Sequence, residues 1–552
     1  MVANRSEIAI RVMRAAAELG ISTVAIYSQE DRYALHRYKA DESYLVGKGK
    51  RPIEAYLDIE DIIRIASEAG AQAIHPGYGF LSENPELVDA CDEAGIQFVG
   101  PTAQTIRQLG NKVRARKLAV RAGVPVIPAT NPLPKDDAKV TALAQKIGYP
   151  IMVKAIWGGG GRGMRVVESK SELIASVNAA RSEAEAAFGN GAVYLEKLVR
   201  NARHMEVQIL GDESGNLIHL HERDCTVQRR HQKVIERAPA VYLDEEGRAE
   251  LCAEALKIGA ATGYRGAGTV EFLQDVETDA IYFIEVNPRI QVEHTVTEWI
   301  TGVDLIQAQI RIAEGAEIGT PESGIPKQDA IPLYGHAIQC RVTTEDPENN
   351  FTPDYGRLSA YRSASGFGVR LDAGTAFAGA LITQFYDSLL VKVTTWAPEA
   401  HVAASRMDRA LREFRIRGVT TNLNFLETVI NHPKFLKADY TTDFIDTTPE
   451  LLNFRARRDR ATRLLNFIAN VIVNGNEEVK GSPLPAHAAP PTLLHTPAGD
   501  PPVGSKQLLD KLGPEGFARW MVDQDRVLIT DTTMRDAHQS LLATRVRSKD
   551  LV

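Results

Sequence analysis

A glycine-rich segment between two strand-like segments limits the architecture of this chain more than any other feature. PIMVKAIW at 150–157 precedes the glycines, and MRVVES at 164–169 follows them. A Walker loop would lead into a helix through GKS or GKT, which this segment lacks, so we predict that it closes a hairpin. Such a loop can act as a flap whose backbone N–H groups cover phosphates, with Lys154 adding a positive charge, although an ordinary glycine-rich hairpin is the alternative. The glycines concerned are Gly158, Gly159, Gly160, Gly161 and Gly163.

Residues 1–100 alternate between amphipathic helices and short apolar strands. Helical periodicity is found at 7–20, at 59–69 and after Asn84, and the strand-like segments are STVAIY, AQAIHP and QFVG. This alternation predicts βαβ units with a parallel sheet. The region lacks GxGxxG, so it carries no dinucleotide-binding fingerprint. The loop HPGYGFLSEN at 75–84 fits either a turn at a strand end or the edge of a substrate site.

The character of the sequence changes after the first part of the chain. From Gln145 onward, paired apolar segments predict hairpins in an α+β region. Residues 473–505 mix Pro, Ala and Gly in a way that cannot build a packed core and predicts a linker. After it, KQLLDKLGPEGFARWM predicts a helix, and RVLITD predicts a strand that runs into TTMRDAHQS. Because 527–552 is too short for an independent domain, we expect it to begin a domain whose remainder lies outside this chain.

Charge and cysteine content exclude several classes of protein. The formal net charge of -7 and the pI near 6.1 argue against a nucleic-acid-binding protein. The cysteines are far apart and form neither a metal-binding nor a disulfide pattern, which suits a reducing compartment such as the bacterial cytoplasm or the mitochondrial matrix. No apolar run approaches the ~20 residues that span a bilayer, and we expect no signal peptide, because Arg5 and Glu7 stand where one would need an apolar stretch. We therefore expect no nucleic-acid partner and no membrane partner.

A polar stripe in the segment 269–294 gives the strongest indication of chemistry. In extended backbone alternate side chains share a face, which groups Glu285, Asn287, Arg289, Gln291 and Glu293. Glu271, on the preceding strand of the predicted hairpin, can join them. Carboxylate and amide oxygens suit Mg²⁺ beside nucleotide phosphates, while an arginine fork and a further carboxylate supply an oxyanion site and a base. A solvent-facing strand of mixed charge is the alternative.

A basic segment, ERDCTVQRRHQKVIER at 222–237, stands out in an acidic chain. It contains Arg223, Arg229, Arg230, His231 and Lys233. A solvated basic face is the usual meaning of such a segment, but in an enzyme that joins ATP to an anionic acid the same cations would offset repulsion between negative charges. In YLEKLV, backbone groups beside Glu196 and Lys197 fit an adenine contact and an ordinary strand equally well.

Several ordered motifs resemble the biotin carboxylase component of biotin-dependent carboxylases, a family with the ATP-grasp fold. They are GNK at 110–112, VKAIWGGGGRGM at 153–164, YLEKLV, RHMEVQ, ERDCTVQRRHQKV, GTVEF and FIEVNPRIQVEHTVTE at 283–298. The resemblance covers 1–446. Further segments are similar to the pyruvate carboxylase branch, namely CRVTTEDPENNF, LREFRIRGVTTNLNFL, TTDFIDTTPELL and DTTMRDAHQSLLATR. The last of these resembles the start of a carboxyltransferase barrel.

The resemblance implies roles for individual residues. ATP contacts are expected from Lys112, Lys154, the glycines of the flap, Glu196, Lys197, His204 and His231. Mg²⁺, or Mn²⁺ in its place, is expected on Glu271, Glu285 and Asn287. Bicarbonate is expected among Lys233, Arg289, Gln291 and Val292, with Arg289 as the catalytic arginine and Glu293 as the base. Arg341 would hold the biotin ureido oxygen. An acetyl-CoA activator is expected near Arg415, Arg417, Arg457, Asp459 and Arg460, and pyruvate and metal contacts of the unfinished barrel at Arg535, Asp536 and Gln539.

The same resemblance predicts the organisation of the chain and its partners. The predicted ranges are 1–110 for an N-terminal subdomain, 111–315 for the ATP-grasp domain, 330–446 for a C-terminal subdomain, 447–526 for a linker and allosteric region, and 527–552 for the barrel start. None of the eight methionines adjoins a lysine, so the Met-Lys-Met biotin attachment signature is lacking and biotin must come on a separate carrier domain. A carboxyltransferase domain and further copies of the chain are expected partners. Ser6 departs from the family, in which many members have Gly.

The expected activity is ATP-dependent carboxylation of biotin with bicarbonate, the first half of the conversion of pyruvate to oxaloacetate. A biotin carboxylase subunit of an acyl-CoA carboxylase and a non-biotin ATP-grasp ligase are the alternatives within enzymes. A nonenzymatic nucleotide-binding module is the alternative outside them, although such a module needs no base beside a metal site.

Overall fold

The structure, a computed structural model, describes residues 1–157, 164–454, 460–481, 499–500 and 502–540. The chain divides into two units, Met1–Arg455 and Ala456–Val552. None of the described helices is long and apolar enough to cross a membrane.

The N-terminal part of the first unit contains short parallel strands between helices. Its elements are α1 (Ser6–Glu18), β1 (Val24–Tyr27), β2 (Glu42–Leu45), α2 (Pro52–Tyr56), α3 (Ile59–Glu68), β3 (Ala73–Ile74), α4 (Pro85–Glu93), β4 (Gln97–Phe98) and α5 (Ala103–Leu109). β1 pairs in parallel with β2, and β3 with β4, while Val2 bridges in parallel to Ala25 and to His75. The predicted βαβ pattern is therefore confirmed. Ile8 and Val12, one helical turn apart on α1, are buried in the core beneath it.

A small antiparallel sheet follows and carries the predicted hairpin. Its elements are α6 (Lys112–Arg121), α7 (Asp137–Ile147), β5 (Ile151–Ala155), β6 (Arg165–Val167), α8 (Leu173–Phe188) and β7 (Val193–Lys197). The strand order is β6-β5-β7. Ile151 pairs with Val167 across the hairpin, so the loop joins antiparallel strands and does not lead into a helix. The glycines at 158–163 lie outside the described residues.

The centre of the first unit is an eight-stranded antiparallel sheet. Its first elements are β8 (Ala202–Gly211), β9 (Leu217–Arg229), β10 (Gln232–Ala238), α9 (Glu245–Thr262), β11 (Gly266–Asp275), β12 (Ile281–Asn287), α10 (His294–Thr301) and α11 (Leu305–Ala313). The elements that follow are β13 (His336–Thr343), β14 (Glu345–Asp346), β15 (Thr352–Pro353), β16 (Gly356–Arg357), β17 (Ala360–Arg362), β18 (Val369–Ala373), β19 (Leu381–Ile382), β20 (Leu389–Ala397), α12 (Ala400–Glu413), β21 (Arg415–Arg417), α13 (Leu423–Ile430) and α14 (Pro433–Lys437).

The strand order of this sheet is β12-β11-β8-β9-β10-β13-β20-β18. Residues far apart in the chain thereby become neighbours, because β10 pairs directly with β13. The predicted α/β and α+β fold class is confirmed. The core of the C-terminal part continues to Leu451, which is fully buried beyond the predicted boundary at residue 446.

The described part of the second unit contains three α-helices, α15 (Arg460–Asn474), α16 (Ser505–Val522) and α17 (Thr533–Ser540). α16 contains the predicted helix and is kinked at Gly513, which has a φ of 70° and precedes Pro514. The predicted strand RVLITD is wrong, because these residues have no regular structure. A strand needs a partner for its backbone groups, and Val527 and Ile529 are 89% and 90% exposed. Most of the Pro-, Ala- and Gly-rich segment at 473–505, the predicted linker, lies outside the described residues.

Candidate active site

Two carboxylates face each other across the hairpin of β11 and β12. Glu271 and Glu285 are directly opposite in the antiparallel register. Asn287, two residues further along β12, donates from Nδ2 to Glu271 Oε1 at 2.9 Å. Strand alternation therefore brings these three side chains together. The extended backbone was expected to continue to Glu293 but ends at Asn287, since Pro288 has no N–H to donate to a ladder.

Lys233, on β10, lies at the centre of the site. Its Nζ donates to Glu206 Oε2 at 2.5 Å, to Glu271 Oε1 at 2.8 Å and to Glu293 Oε1 at 2.7 Å. Burial would lower the pKa of Lys233, but the three carboxylates outweigh it and raise the pKa well above its usual range. The ammonium group therefore stays charged and holds acidic groups from three separate parts of the chain together.

Glu293 precedes α10 directly and is completely buried. Its second oxygen accepts a hydrogen bond from Arg341 Nη2 at 3.0 Å, and Arg341 Nε also donates to Glu236 Oε1 at 2.6 Å. Burial would raise the pKa of Glu293, but Lys233 and Arg341 lower it below the usual range of a carboxyl group. Glu293 is thus an ionised carboxylate held between two cations. An anion that drew these cations away would make it a stronger base.

The residues predicted to hold Mg²⁺ offer a set of hard oxygen donors. Glu285 Oε2 lies 3.2 Å from Lys112 Nζ, and Glu271 Oε2 lies 3.1 Å from His204 Nε2. Burial would raise the pKa of Glu271, but Lys233 and His204 lower it well below its usual range, so the carboxylate is ionised. Two carboxylates and an amide oxygen from adjacent strands fit the ligand preference of Mg²⁺.

A different group of acidic and imidazole side chains is also close together. The ligand atoms of His204, Glu206 and Glu271 lie within 4.8 Å of one another. Glu206, however, is fully buried and is already paired with both Arg223 and Lys233. Glu285 has only Lys112 as an ion-pair partner among the described residues and is more exposed. The set Glu271, Glu285 and Asn287 therefore fits a cation better.

Arg289 extends the site toward the loop at 75–84. Its Nη1 donates to Gln291 Oε1 at 2.9 Å and its Nη2 to Asn287 Oδ1 at 3.0 Å, while its Nε pairs with Glu83. Burial would lower the pKa of Arg289, but Glu83 raises it above its usual value. Of the two interpretations of the loop at 75–84, these contacts favour the edge of a substrate site.

The residues expected to contact ATP occupy two groups. Lys112, His204 and His231 line the central cavity described below, with His231 in the turn between β9 and β10. Lys154 on β5 and Glu196 on β7 lie diagonally across the paired strands and form a buried ion pair.

Lys197, the last residue of β7, has a different environment. Its Nζ donates to the carbonyl oxygens of Gly148 and Tyr149, each at 3.0 Å. Its ammonium group thus binds the turn before β5 and does not line the central cavity.

Many of the predicted site residues line one cavity of about 820 Å³. The predicted site residues that line it are Lys112, His204, His231, Lys233, Glu271, Glu285, Asn287, Arg289, Gln291, Val292 and Arg341. Pockets for small molecules and cofactors commonly have volumes of about 300–1,000 Å³. A cavity of this size has room for a nucleotide together with a small acidic co-substrate.

Sequence reasoning missed two acidic residues of the site and left the environment of one basic residue open. Glu206 and Glu236 are fully buried and pair with Lys233 and Arg341. Both lie in motifs that are visible in the sequence, and a carboxylate within an apolar strand signals a buried cation. Arg223 belongs to no solvated face: it is fully buried and donates to Gln208, Thr269 and Thr297 at 2.8, 3.0 and 3.0 Å.

Arg229 also lines the cavity, and its Nη2 donates to the Asn350 carbonyl at 2.8 Å, while Arg230 contacts Asn350 as well. The remaining predicted site residues lie elsewhere. Arg415 and Arg417 are exposed at the two ends of β21. Arg457 and Asp459 lie outside the described residues, and Arg460 is described only as the first residue of α15. Arg535, Asp536 and Gln539 lie on α17, where Arg535 Nη2 is 2.5 Å from Asp536 Oδ1.

Comparison with known families matches three consecutive parts of the chain. Residues 1–106 match the biotin carboxylase N-terminal domain, residues 111–320 the ATP-binding domain of the carbamoyl-phosphate synthase L chain, and residues 339–447 the biotin carboxylase C-terminal domain. Pyruvate carboxylase of Bacillus subtilis is 55% identical over 551 residues, which are 100% of this chain and 48% of that protein. Human mitochondrial pyruvate carboxylase is 52% identical over 561 residues, 100% of this chain and 46% of that protein. The chain thus spans about half the length of these relatives.

Solved structures that resemble this chain come from the same two groups of proteins, the pyruvate carboxylases and the biotin carboxylases. A Rhizobium etli pyruvate carboxylase variant with the allosteric activator acetyl coenzyme A has a TM-score of 0.81 and 64% identity, covering 99% of this chain and 48% of that one. The biotin carboxylase domain of Hydrogenobacter thermophilus 2-oxoglutarate carboxylase, in complex with MgADP, ADP and bicarbonate, has a TM-score of 0.79 and 43% identity, covering 82% of this chain and 98% of that one. The chain therefore belongs to the biotin carboxylase family, and over its whole length it is homologous to pyruvate carboxylases.

Proposed function

We propose that this chain uses ATP and bicarbonate to carboxylate biotin, the first half-reaction of pyruvate carboxylase. The observation that carries the proposal is the buried Glu293 carboxylate between Lys233 and Arg341. Lys233 also bonds Glu271, one of the two carboxylates proposed to hold Mg²⁺. This arrangement combines a base, oxyanion-binding cations and a metal-binding edge. The relative whose structure contains MgADP and bicarbonate supports it.

Nucleotide binding would use the edge of the cavity nearest β12. Glu271, Glu285 and Asn287 would hold Mg²⁺, which supplies charge neutralisation for the nucleotide phosphates. Lys112, His204 and His231 line the same cavity, and Lys154, Glu196, Lys197 and the glycines of the flap would complete the ATP site. Cations in this position offset the repulsion between ATP and an anionic second substrate.

Bicarbonate would bind beside Lys233, Arg289, Gln291 and Val292. Glu293 accepts its proton, and a bicarbonate oxygen attacks the γ-phosphorus as the bond to ADP breaks, which yields carboxyphosphate and ADP. The bound anion competes for Lys233, so the pKa of Glu293 rises toward that of a useful base only when substrate is present. Arg289 donates to the oxyanion from a fork that Glu83 and Asn287 orient.

Biotin would be carboxylated at the Arg341 side of the cavity. Carboxyphosphate breaks its C–O bond to give CO₂ and phosphate, and the phosphate takes the N–H proton of the biotin ureido group. The deprotonated nitrogen then attacks CO₂. Arg341 stabilises the negative charge that develops on the ureido oxygen, and Glu236 keeps its guanidinium in place.

One assay separates this function from the alternatives. ADP release is measured with and without bicarbonate, and then with free biotin added. We expect release to depend on bicarbonate and to increase with biotin. Bicarbonate dependence without a biotin response would favour a non-biotin ATP-grasp ligase, and nucleotide binding without ADP release would favour a regulatory module.

The second half-reaction and the regulation of the whole protein extend the proposal. We infer that biotin arrives on a carrier domain, that a carboxyltransferase domain uses the product to convert pyruvate to oxaloacetate, and that the protein forms homo-oligomers. Acetyl-CoA would act near Arg415, Arg417, Arg457, Asp459 and Arg460. The predicted subdomain ranges apply with the C-terminal subdomain extended to include Leu451. Relatives include bacterial and mitochondrial proteins, which supports a cytoplasmic or matrix location. Acetyl-CoA titration of bicarbonate-dependent ADP release tests the activator; an unchanged rate would contradict it.

A further inference from the structure

A buried ion pair connects two distant parts of the chain beside the cavity. Glu7 Oε2, on α1, lies 3.0 Å from Lys392 Nζ, on β20. The side chain of Lys392 is 0% exposed and that of Glu7 only 3%, so solvent cannot replace either partner. The hydroxyl of Tyr78 donates to the other oxygen of Glu7. Keeping two charges out of water is costly, and such pairs survive when their geometry and remaining hydrogen bonds are good.

Lys392 makes a second contact, and this one leads into the candidate active site. Its Nζ donates to the carbonyl oxygen of Val292 at 3.0 Å. Val292 lies between Gln291, which accepts from Arg289, and Glu293, which accepts from Lys233 and Arg341. This stretch follows the end of β12 and has no strand ladder to hold its backbone. Its orientation therefore depends on side-chain contacts such as the one from Lys392.

We propose that Glu7 and Lys392 are positioning residues that hold the Val292 carbonyl and thereby orient Gln291 and Glu293 for bicarbonate. The inference rests on the proposed function, because bicarbonate is the ligand assigned to this stretch. Lys392 supplies the hydrogen bond. Glu7 keeps the ammonium group in place and compensates its charge, and Asp372 and Arg370 on β18 are the other charged groups that face Glu7.

A merely structural role would affect all substrates alike, whereas a positioning role predicts a selective effect. The nucleotide is assigned to other residues of the cavity, among them Lys112 and Glu285, which form an ion pair with each other. Loss of the bond to Val292 should therefore weaken use of bicarbonate much more than use of MgATP. The comparison of the two KM values separates these roles without reference to overall stability.

The chain offers a matched control in another buried ion pair. Glu222 is fully buried and accepts hydrogen bonds from Arg248 Nε at 3.0 Å and from the Ala240 amide at 2.9 Å. Neither Glu222 nor Arg248 lines the cavity. Glu222→Gln thus removes the carboxylate of a comparable buried ion pair that lies outside the cavity lining.

The experiment measures ADP release at pH 8 while bicarbonate and MgATP are varied separately. For Lys392→Met and Glu7→Gln we expect the KM for bicarbonate to rise roughly tenfold or more, as for the loss of a hydrogen bond to a charged group, with the KM for MgATP within about twofold of wild type. Glu222→Gln should leave both KM values unchanged.

Equal changes in both KM values, or an unchanged KM for bicarbonate, would overturn the positioning role. If Lys392→Met does not fold, Glu7→Gln decides the question, because it preserves side-chain volume and the contact with Tyr78. A wild-type chain without any bicarbonate-dependent ADP release would instead contradict the proposed function, and the positioning role would fall with it.

Discussion

Arg341 Nη2 donates to Glu293 Oε2 at 3.0 Å, so the arginine assigned to biotin directly contacts the carboxylate assigned as the base for bicarbonate. The contact joins β13 to the start of α10. Because Lys233 holds the other oxygen of Glu293, the two proposed steps share one carboxylate but use different cations. Substitution of the cations should therefore separate the steps.

Arg341→Ala should impair biotin carboxylation more than bicarbonate-dependent ATP cleavage. The charge on the ureido oxygen develops late, and loss of one oxyanion donor typically costs roughly 100- to 1,000-fold in rate. ATP cleavage retains Lys233 and Arg289 and should fall much less. ADP release and carboxybiotin formation, measured in parallel with free biotin as the acceptor, provide the comparison.

Glu293→Gln is the contrasting variant. It removes the base while it preserves the size of a completely buried side chain. Both outputs should fall together, because carboxyphosphate cannot form without deprotonation of bicarbonate. Equal losses of the two outputs in Arg341→Ala, combined with uncoupled outputs in Glu293→Gln, would reverse the assigned roles.

Glu285→Gln and Glu271→Gln should each abolish turnover while the protein stays folded. Each substitution removes a charge directed at Mg²⁺ from a site of hard oxygen ligands. Glu285 is the cleaner test because, among the described contacts, it pairs only with Lys112, whereas Glu271 also bonds Lys233 and Asn287. ADP release across a Mg²⁺ titration, with thermal unfolding to verify the fold, is the measurement. Unchanged ATP cleavage in both variants would rule out these ligands.

Glu7 should make the stability of the protein depend on pH. Burial raises the pKa of Glu7 from 4.5 to about 7, although Lys392 opposes the shift. A carboxyl group with a raised pKa favours the folded state below pH ~4.5 and loses this contribution as pH rises through ~7. Relative to Glu7→Gln, the wild-type free energy of unfolding should fall by about 3 kcal/mol between pH 4.5 and 8. Urea denaturation of both proteins at several pH values measures this, and a constant difference would contradict it.

Ser6→Gly should stabilise the protein slightly. Ser6 has a φ of 58°, a left-handed conformation that costs a residue with a Cβ about 1–2 kcal/mol. Part of the gain is offset because glycine loses more chain entropy on folding, so we expect a net increase of up to about 1 kcal/mol. Ser6→Ala retains the Cβ and serves as the control. Equal free energies of unfolding for the Gly and Ala variants would show that the backbone conformation is not the cause.

A shortened chain of residues 1–455 should perform the proposed half-reaction alone, whereas a chain of residues 1–446 should not. Leu451 is completely buried in the core with Phe425 and Phe435, and a cut at 446 removes it. Loss of one buried leucine costs about 2–5 kcal/mol. Bicarbonate-dependent ADP release and urea denaturation of both shortened chains test this. A soluble 1–455 chain without activity would show that the second unit takes part.

The sequence alone was sufficient where the chemistry follows from local backbone geometry. Alternation along β11 and β12 was enough to group Glu271, Glu285 and Asn287, because neighbouring strands of a hairpin must pair. The antiparallel hairpin around the glycines followed in the same way. The strand prediction for RVLITD was wrong for the converse reason, because an apolar run becomes a strand only where a partner strand is present.

Only the tertiary structure brought Lys233, Glu293 and Arg341 together. They come from β10, the turn before α10, and β13, and no sequence period relates them. Lys233 on β10 and Arg341 on β13 can reach the same carboxylate because these two strands are neighbours in the central sheet, which also places Glu236 beside Arg341. A buried charge must find an opposite charge in three dimensions, and the sequence records which charges exist but not which of them lose their water together.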